Sequence, residues 1–560
     1  TGMDGIVNEV CEAQGREHTA VETFAIAGLE QAPAHAEGTY RTLMPATPAV
    51  PGTQYAFEVD LDACSGCGSC VAACHQKNDL HPGELWRRVG YLVGGTPSEP
   101  ALLQAVPSAC HHCLEPACLH GCPAVAYRKD PETGIVIHSD SDCIGCQYCT
   151  LTCPYEVPHF DRSLGIVRKC DMCQDRLAAG EPPACAQACP HDAIRITAVS
   201  AEEVRFASES GSLLPAAPDS KYTLPSTRYR SSKKWPANTL PVDYFAVRPE
   251  RGHWSLAVML VLTQMSVGAF ALEYVRHWHM QSITTDVNVT GPTIHWIASL
   301  LLGILGMSAS VLHLGRPERA WRAWKGWRTS WLSREILGLA LFATFASLYV
   351  FANVLTAGLE LQEIETLQRF LGLGAVASGG AAVFASVMIY VATHRPLWTF
   401  GRTAIDFTLT AALLGVALTL AVTATTSPVF LGDLSARPHE SLRRLCLAIL
   451  ALTGVRLLLE ATLLRHLRDA TMTPHRRAAM LLTGALSMSF VRRIFFGVLG
   501  GLILPTLLLA EPFWADGGYH PVFLAAASGL AWALVTTGEL LSRHLFFLTS
   551  VAPQMPGVQR

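Results

Sequence analysis

Sixteen of the eighteen cysteines in this chain of 560 residues lie between Cys64 and Cys189. They form four groups of four: Cys64, Cys67, Cys70 and Cys74; Cys110, Cys113, Cys118 and Cys122; Cys143, Cys146, Cys149 and Cys153; and Cys170, Cys173, Cys185 and Cys189. The first and third groups have the C-x2-C-x2-C-x3-C spacing of cluster-binding ferredoxins, in which three thiolates bind one cubane and the fourth reaches another. Because each group supplies four thiolates, the sequence predicts ligands for four [4Fe–4S] clusters.

Two other uses of these cysteines fit the spacing less well. Eight disulfides are disfavoured because C-x2-C-x2-C crowding suits disulfide geometry badly, and no secretory signal or twin-arginine motif is recognised at the start of the sequence. Paired C-x2-C units also bind zinc, but zinc ribbons use two pairs per metal, whereas the first and third groups place three cysteines within seven residues. Iron–sulfur clusters are therefore the favoured interpretation.

The segments around the cysteines predict an α+β, ferredoxin-like head with an internal duplication. Residues 57–62 precede Cys64 much as residues 135–140 precede Cys143, and each segment is typical of a strand that ends in a cysteine-rich loop. Cys122 and Cys189 are each followed by proline and a turn that returns to a strand. Since the clusters would form much of the core, we expect this head not to fold without metal.

Apolar residues are concentrated in the second half of the chain. Half of all residues are hydrophobic and the mean hydropathy is +0.28, which is high for a soluble protein. Eight apolar runs of about twenty residues follow residue 250, each long enough to span a bilayer as a helix. They are centred near Thr263, Gly303, Thr344, Ala382, Leu414, Leu452, Gly501 and Leu530. Because they are rich in small residues that favour close helix packing, we expect an all-α transmembrane bundle of eight helices rather than a soluble helical domain.

These patterns divide the chain into five parts: an N-terminal arm (1–54), a four-cluster head (55–197), a connector (198–250), a membrane anchor (251–550) and a tail (551–560). In the arm, residues 21–29 are predicted to form a short helix, and the isolated Cys11 is interpreted as incidental. The connector is predicted to lie as an extended strap on the head and to lead to the membrane. A formal net charge of only −3 gives no argument for binding nucleic acid.

The head resembles the four-cluster electron-transfer subunit of membrane-bound molybdenum oxidoreductases of the dimethyl sulfoxide reductase type. The resemblance rests on CHHCLEPAC at residues 110–118, CIGCQYC at 143–149 and RKCDMC at 168–173. The membrane half resembles the anchor subunit of the same family, on HLGRP at 313–317, SWLSREI at 330–336 and RHLFF at 543–547. The chain therefore resembles a fusion of two subunits that are normally separate.

The resemblance implies how the cysteines are shared and what the chain works with. The first group would pair with the fourth and the second with the third, each pair exchanging its last cysteine; four cubanes are implied because all sixteen positions are cysteine. It further implies a molybdopterin-containing catalytic subunit as partner, a membrane quinone or quinol as exchangeable substrate, and a quinone site in the anchor close to the nearest cluster.

A quinone headgroup needs hydrogen-bond donors and a proton route to water, so ionisable residues near the head-facing surface are candidates. His313 falls at that end of the second helix beside Arg316, and histidine exchanges protons near neutral pH. The alternative is that His313 only caps its helix. No haem is expected, because His295 and His313 lie eighteen residues apart at opposite membrane faces and helices 3, 5, 6 and 7 offer no interior histidine as a partner.

Four further candidates for the quinone site are charged residues inside the sixth and eighth helices. Arg456 and Glu460, like Glu539 and Arg543, are opposite charges four residues apart on one helical face. Ionisable groups at membrane depth are costly and are usually functional. Their alternative role is structural: the charges neutralise each other and tie helices together.

The loops predict how the bundle is oriented. The basic residues on the side of the head are Arg316, Arg319, Arg322, Lys325 and Arg328 after the second helix, Arg395 and Arg402 after the fourth, and Arg465, Arg468, Arg476 and Arg477 after the sixth. The positive-inside rule then places the head on the cytoplasmic side of the inner (plasma) membrane. Two alternatives remain open: these arginines dock the head or a partner, or the head is exported with a partner that carries a signal.

The sequence as a whole predicts the electron-transfer and anchor subunit of a quinone-linked molybdoenzyme, because no Rossmann fingerprint or P-loop accompanies the clusters. An exported complex would suit reduction of dimethyl sulfoxide or a similar acceptor, as in anaerobic respiration, and a cytoplasmic head would suit oxidation of a donor such as sulfite. The alternative is a subunit of a redox-driven, ion-translocating complex. That function needs acidic or hydroxyl residues across the whole bilayer, whereas the charged residues cluster near one face.

Overall fold

The computed structural model describes residues 42–45, 48–96, 101–209, 211–281, 290–355, 362–426, 439–510 and 521–557. The helix predicted at residues 21–29 and Cys11 lie outside the described residues. In the part that is described, an α+β head precedes a bundle of long apolar helices, and both predicted architectures are confirmed.

The head is built from short elements separated by cysteine-bearing loops. Its strands are β1 (Thr53–Asp60), β2 (Arg88–Gly94), β3 (Leu102–Ser108), β4 (Tyr127–Lys129), β5 (Val136–His138), β6 (His159–Asp161), β7 (Ile166–Arg168), β8 (Ile194–Ser200), β9 (Arg228–Arg230) and β10 (Leu240–Pro241). Its helices are α1 (Ser69–Lys77), α2 (Ala117–Gly121), α3 (Tyr148–Thr152), α4 (Gln174–Ala178), α5 (Ala184–Gln187) and α6 (Ala201–Glu209).

The strands form four small sheets. β1 pairs antiparallel with β8 and parallel with β9, in the order β8-β1-β9. A second sheet has the order β10-β2-β3, and β4-β5 and β6-β7 are two-stranded. Two-stranded sheets are marginal by themselves, and the head core combines strand side chains such as Phe57, Val106 and Ile196 with the cysteines Cys70 and Cys170. The cysteines are therefore part of the core of the head.

The connector and the tail both attach to the head. Residues 198–250 contain the end of β8, then α6, β9 and β10. Asp62, next to the first cysteine group, accepts hydrogen bonds from the hydroxyls of Ser231 and Ser232. At the other end of the chain, Tyr91 donates its backbone N–H to the carbonyl of Gly557 at 3.1 Å. The chain thus returns to the head after its last membrane helix.

Eight spans in the described part of the chain are long and apolar enough to cross a membrane, with mean hydropathies between 1.4 and 2.0. Their helices are α7 (Trp254–Gln281), α8 (Thr290–Val311), α9 (Trp331–Leu355), α10 (Gln362–Val391), α11 (Phe400–Thr426), α12 (His439–Leu464), α14 (Ser487–Val498) with α15 (Leu504–Leu509), and α16 (Pro521–Leu548). A short helix, α13 (Pro474–Thr483), precedes α14, and a π-helical turn (Leu499–Ile503) joins α14 to α15.

The centre of the bundle is the contact between α7 and α11. A Cβ atom added to Gly268 of α7 would lie 2.0 Å from the carbonyl oxygen of Ala411, and one added to Gly415 of α11 would lie 2.6 Å from the backbone of Gly268. Small residues allow the two backbones to approach this closely. In lipid, where no hydrophobic effect drives helices together, such close packing stabilises their association.

Candidate electron-transfer and quinone site

The cysteine side chains converge in four quartets, each drawn from two sequence groups. Two quartets line cavities: Cys64, Cys67, Cys70 and Cys189 line one, and Cys110, Cys113, Cys118 and Cys153 line the other. In each of the other two quartets, the cysteines are electrostatic neighbours of one another. One consists of Cys74, Cys170, Cys173 and Cys185, and the other of Cys122, Cys143, Cys146 and Cys149. This arrangement exchanges the last cysteine between the first and fourth groups and between the second and third.

Backbone amides point at several of these sulfurs. Ala126 and Ala193 donate N–H bonds to the Sγ atoms of Cys122 and Cys189 at 3.2 and 3.3 Å. Gly145 donates to Cys143 at 3.4 Å from a backbone with φ of +69°, in the left-handed region that favours glycine. Such N–H donors stabilise thiolate charge and tune the potential of a bound cluster.

The chemistry of the quartets fits iron–sulfur clusters. Burial raises the pKa of Cys70 to about 11 and that of Cys74 to about 12, so these thiols need a metal to ionise at neutral pH. Arg87 is only 2% exposed and lies among the thiols of Cys70 and Cys185, and its Nε and Nη2 atoms have no hydrogen-bond partner among the described residues. A buried cation with free donors matches an anionic group between the cysteines.

A second buried cation, Lys169, lies beside Cys110 and Cys118 and donates to the carbonyl of Cys170 at 2.8 Å. Sequence reasoning missed Arg87 and Lys169 as parts of the site. Lys169 lies within a quoted motif next to Cys170, whereas Arg87 is distant from the cysteines in sequence and only the fold brings it to them.

The third cysteine group docks directly on the membrane half. Tyr148, between Cys146 and Cys149, donates its hydroxyl to the carbonyl of Ile389 in α10 at 2.8 Å. Cys146 packs against the apolar cluster that α7, α10, α11 and α16 form at their head-side ends. The quartet that contains Cys146 is therefore the one next to the membrane. Cys67, in a different quartet, is exposed on the head surface.

The loop after α8 holds the head through its backbone. Gly315 and Arg316 donate N–H bonds to the carbonyls of Gly145 and Ile144, both at 3.2 Å, and Arg316 also donates from Nη1 to the carbonyl of Asp140 at 2.7 Å. A Cβ on Gly315 would lie 2.1 Å from the carbonyl oxygen of Gly165, so only glycine allows this approach.

Other arginines of this loop also bind the head. Arg319 and Arg322 donate to the carbonyl of Ser141 at 2.6 and 2.8 Å, and Arg322 pairs with Asp142 at 3.0 Å. Part of the positive charge on the head side therefore has a docking role. Its use as an indicator of the cytoplasmic side is correspondingly weakened.

His313 lies just beyond the end of α8, at the junction of the two halves. Its Nδ1 is 3.3 Å from the hydroxyl of Ser255, and its ring is 5.1 Å from that of His253. Burial lowers the pKa of His313 to about 4, so the ring is neutral near pH 7. A neutral imidazole in this position can exchange hydrogen bonds and protons with a bound hydroxyl group.

The other four predicted quinone residues lie together, apart from His313, in a buried ion network. We use this name for Asp406, Arg456, Glu460, Arg493, Glu539 and Arg543. Its three positive and three negative charges balance across α11, α12, α14 and α16. Sequence reasoning missed Asp406 and Arg493, although each is a charged residue in an otherwise apolar stretch.

Glu335 is a further site residue that sequence reasoning did not select. It lies one turn inside α9 and is 1% exposed. Its carboxylate accepts a hydrogen bond from the hydroxyl of Ser386, and it interacts electrostatically with Tyr148 and Tyr390. A buried carboxyl group thus lies in the membrane directly beneath the docked cysteine loop. Its signal was visible as a single acid in the apolar run of the third span.

The fold and the site define a class of protein: an iron–sulfur head that docks through one cluster loop on a multi-pass membrane bundle. Comparison with known proteins agrees for both halves. Residues 102–199 match the family model of a 4Fe-4S dicluster domain, and residues 251–547 match that of the DMSO reductase anchor subunit (DmsC). The chain belongs to the DMSO reductase anchor subunit family and carries an iron–sulfur domain fused in front of the anchor.

Curated relatives match the head. One chain of the anaerobic dimethyl sulfoxide reductase of Escherichia coli (strain K12) is 38% identical over 145 residues, which are 25% of this protein and 70% of the relative. A thiosulfate reductase electron transfer subunit of Salmonella typhi is 36% identical over 156 residues, 27% of this protein and 80% of the relative. One of the sulfite dehydrogenase subunits of Allochromatium vinosum is 33% identical over 163 residues, which are 25% of this protein and 67% of the relative. These relatives are subunits of oxidoreductases.

Proposed function

We propose that this chain carries electrons through four [4Fe–4S] clusters between a molybdopterin-containing catalytic subunit and a membrane quinone. The clusters supply one-electron transfer, and the terminal substrate reacts in the catalytic subunit. The observation that carries the proposal is the contact of the Cys146 loop with α10, because it brings one quartet of cysteines onto the membrane half.

The opposite quartet suits the catalytic partner. Cys67 is exposed, and the neighbouring Gly66 and Gly68 leave its loop without bulky side chains on the head surface. A partner that covers this loop would bring its redox centre near the cluster held there. The names of the relatives support reduction of dimethyl sulfoxide or thiosulfate, or oxidation of sulfite, as the reaction of that partner.

The quinone headgroup is proposed to bind beneath the docked loop, between His313 and Glu335. Neutral His313 offers a hydrogen-bond partner at the junction, and Glu335 offers a buried proton acceptor close to Tyr148. It stays a prediction that quinone contacts Arg316 and the four predicted residues of the buried ion network, Arg456, Glu460, Glu539 and Arg543. Arg316 also has the docking bond to Asp140 described above.

The test uses the full chain with its partner, purified without oxygen. We expect about sixteen iron atoms per chain if each quartet holds a cubane, and bleaching of the clusters by a soluble quinol analogue. His313→Arg should abolish quinol-dependent reduction and leave the cluster EPR signals intact. His279→Arg, at the exposed far end of α7, is the matched control. Zinc in place of iron, or normal quinol kinetics in His313→Arg, would contradict the proposal.

We further propose that the bundle lies in the inner membrane with the head in the cytoplasm. The basic residues after α12, such as Arg465 and Arg468, support this side by the positive-inside rule. Protease added to sealed, inside-out vesicles should then cut the head, and right-side-out vesicles should protect it. The reverse pattern would place the head outside.

A further inference from the structure

Proton transfer is the part of quinone chemistry that the proposed site leaves unexplained. Oxidation of one quinol to quinone releases two electrons and two protons; the clusters accept the electrons one at a time, and the protons have to reach water. Glu335 is 1% exposed, so it cannot pass a proton directly to bulk solvent. A protonatable side chain enclosed in protein needs a chain of polar groups to exchange its proton.

Tyr390 of α10 lies between Glu335 and the buried ion network. Ser386, whose hydroxyl binds Glu335, lies one turn before Tyr390 on α10. The Tyr390 side chain interacts electrostatically with both Glu335 and Arg543. The two residues also share aromatic neighbours: the Tyr390 ring is 5.6 Å from that of Phe407, and the Arg543 guanidinium lies 4.0 Å above the same ring. Tyr390 is therefore the polar group that follows Glu335 on the way to the network.

The network itself is continuous. Arg543 pairs with Asp406 at 3.1 Å, and Asp406 is bonded to Arg456. Arg456 contacts Glu539 at 3.3 Å and Glu460 at 3.5 Å. Every contact in this sequence joins groups on different helices, except the last, which lies within α12.

Two carboxylates of the network, those of Asp406 and Glu460, line a cavity. The cavity has a volume of about 80 Å³ and is lined by Asp406, Glu460 and Ser542, together with Arg402 and Thr549 near the head-side ends of α11 and α16. One carboxylate oxygen of Glu460, Oε2, is buried and has no hydrogen-bond partner among the described residues. Since a cavity of this measure needs only about 10–15 Å³ to admit a water, this space is large enough for water beside that oxygen.

We propose that Tyr390, the carboxylates of Asp406 and Glu460 and this cavity form the route by which protons pass between the quinone site and water on the head side. The arginines of the buried ion network stay protonated and hold these carboxylates in place beside the cavity. This inference rests on the proposed function. The balanced charges alone would also suit a purely structural tie between helices. A tie, however, requires neither a free carboxylate oxygen at a water-sized cavity nor a tyrosine that connects the network to Glu335.

The test uses two variants that preserve side-chain shape, Tyr390→Phe and Glu460→Gln, in the full complex. Quinol-dependent cluster reduction should slow about 100-fold or more, since a positioned proton-transfer group typically contributes about 10²- to 10⁴-fold. Quinol affinity should stay unchanged in Tyr390→Phe and cluster EPR signals in both variants, while the solvent deuterium isotope effect increases. Small weak acids that enter the cavity should restore the rate of Glu460→Gln. Glu273→Gln, a buried acid paired with Arg276 in the opposite half of α7, is the control and should react normally.

A second readout needs neither quinol nor turnover. The infrared carbonyl band of Glu335, assigned by its loss in Glu335→Gln, should shift rapidly after transfer of the wild type to D2O and slowly in Tyr390→Phe and Glu460→Gln. Equal exchange in all three proteins would overturn the proton route, as would rate losses that weak acids fail to restore. Because this readout does not involve quinol, it separates failure of the route from failure of the quinone site.

Discussion

Gly315→Ala tests whether the membrane half and the head must be in backbone contact. Gly315 meets two head loops, at Gly145 and Gly165. An alanine Cβ here would lie 2.1 Å from the carbonyl oxygen of Gly165 and 2.6 Å from its carbonyl carbon, whereas ordinary contact begins at 3.4 Å. Since the obstructing atoms are backbone, no side-chain rotation relieves the overlap.

The size of the effect follows from what has to move. The loop must retreat by more than 1 Å, which breaks the N–H bonds of Gly315 and Arg316 to the head, each now 3.2 Å long. Two backbone hydrogen bonds contribute about 1–3 kcal/mol net, and overpacking a close contact costs about 1–3 kcal/mol. We therefore expect the docked state to lose about 2–6 kcal/mol, enough to open the junction in a large fraction of molecules.

The assay compares two electron donors in the same protein. In Gly315→Ala, a soluble low-potential dye should still reduce all clusters through the exposed head, but reduction by quinol should slow strongly because the cluster loop has left the membrane surface. Gly380→Ala is the matched control, because a Cβ there meets no atom within 4 Å. Normal quinol kinetics in Gly315→Ala, with the substitution verified, would refute the view that this contact sets the electron path.

Two other perturbations act on the same junction. Cys146→Ser should remove the cluster signal nearest the membrane and abolish quinol-dependent reduction, while EPR still detects the clusters of the two quartets that include Cys64 and Cys74. Lowering the pH should destabilise the junction, because the pKa of His313 is about 4 when folded and near 6.5 when unfolded. Between these two pH values the unfolded chain binds more protons than the folded chain. The contribution of neutral His313 to the free energy of unfolding is therefore fully present above pH 6.5, and it falls by at most about 3 kcal/mol towards pH 4. The melting temperature of His313→Gln should depend less on pH across this window.

The cysteine spacing was sufficient to predict the nature of the head, since thiolate number and local spacing are properties of the sequence itself. The eight membrane spans could likewise be predicted from the sequence, because a bilayer requires long apolar helices. The place of Arg87 among the cysteines could not be predicted from the sequence. Arg87 belongs to no motif, and it meets Cys70 and Cys185, which belong to different quartets, only because the fold brings the start of β2 close to α5.

The candidate quinone site was predictable only in part, for a related reason. Charged residues four apart on one helix could be recognised as pairs, but their main partners come from other helices. Arg456, for example, contacts Asp406 and Glu539 as well as Glu460. Helix packing decides these partners, and periodicity in a uniformly apolar helix carries little information about which face meets which neighbour.

The distribution of polar groups across the bilayer bears on whether turnover moves charge. At 1.5 Å per residue, Glu460 lies about 6 Å and Glu539 about 13 Å along their helices from the head-side ends. In the opposite half, buried Glu273 pairs with Arg276 and not with this network, and between the two halves α7 and α11 are in backbone contact. Electrons and protons are therefore proposed to move from the quinone site towards the same side of the membrane, the side of the head. Proteoliposomes with outward heads should acidify the external medium when quinol is oxidised by a soluble one-electron acceptor that takes up no proton, and should develop no membrane potential; a potential would instead support the ion-translocating alternative.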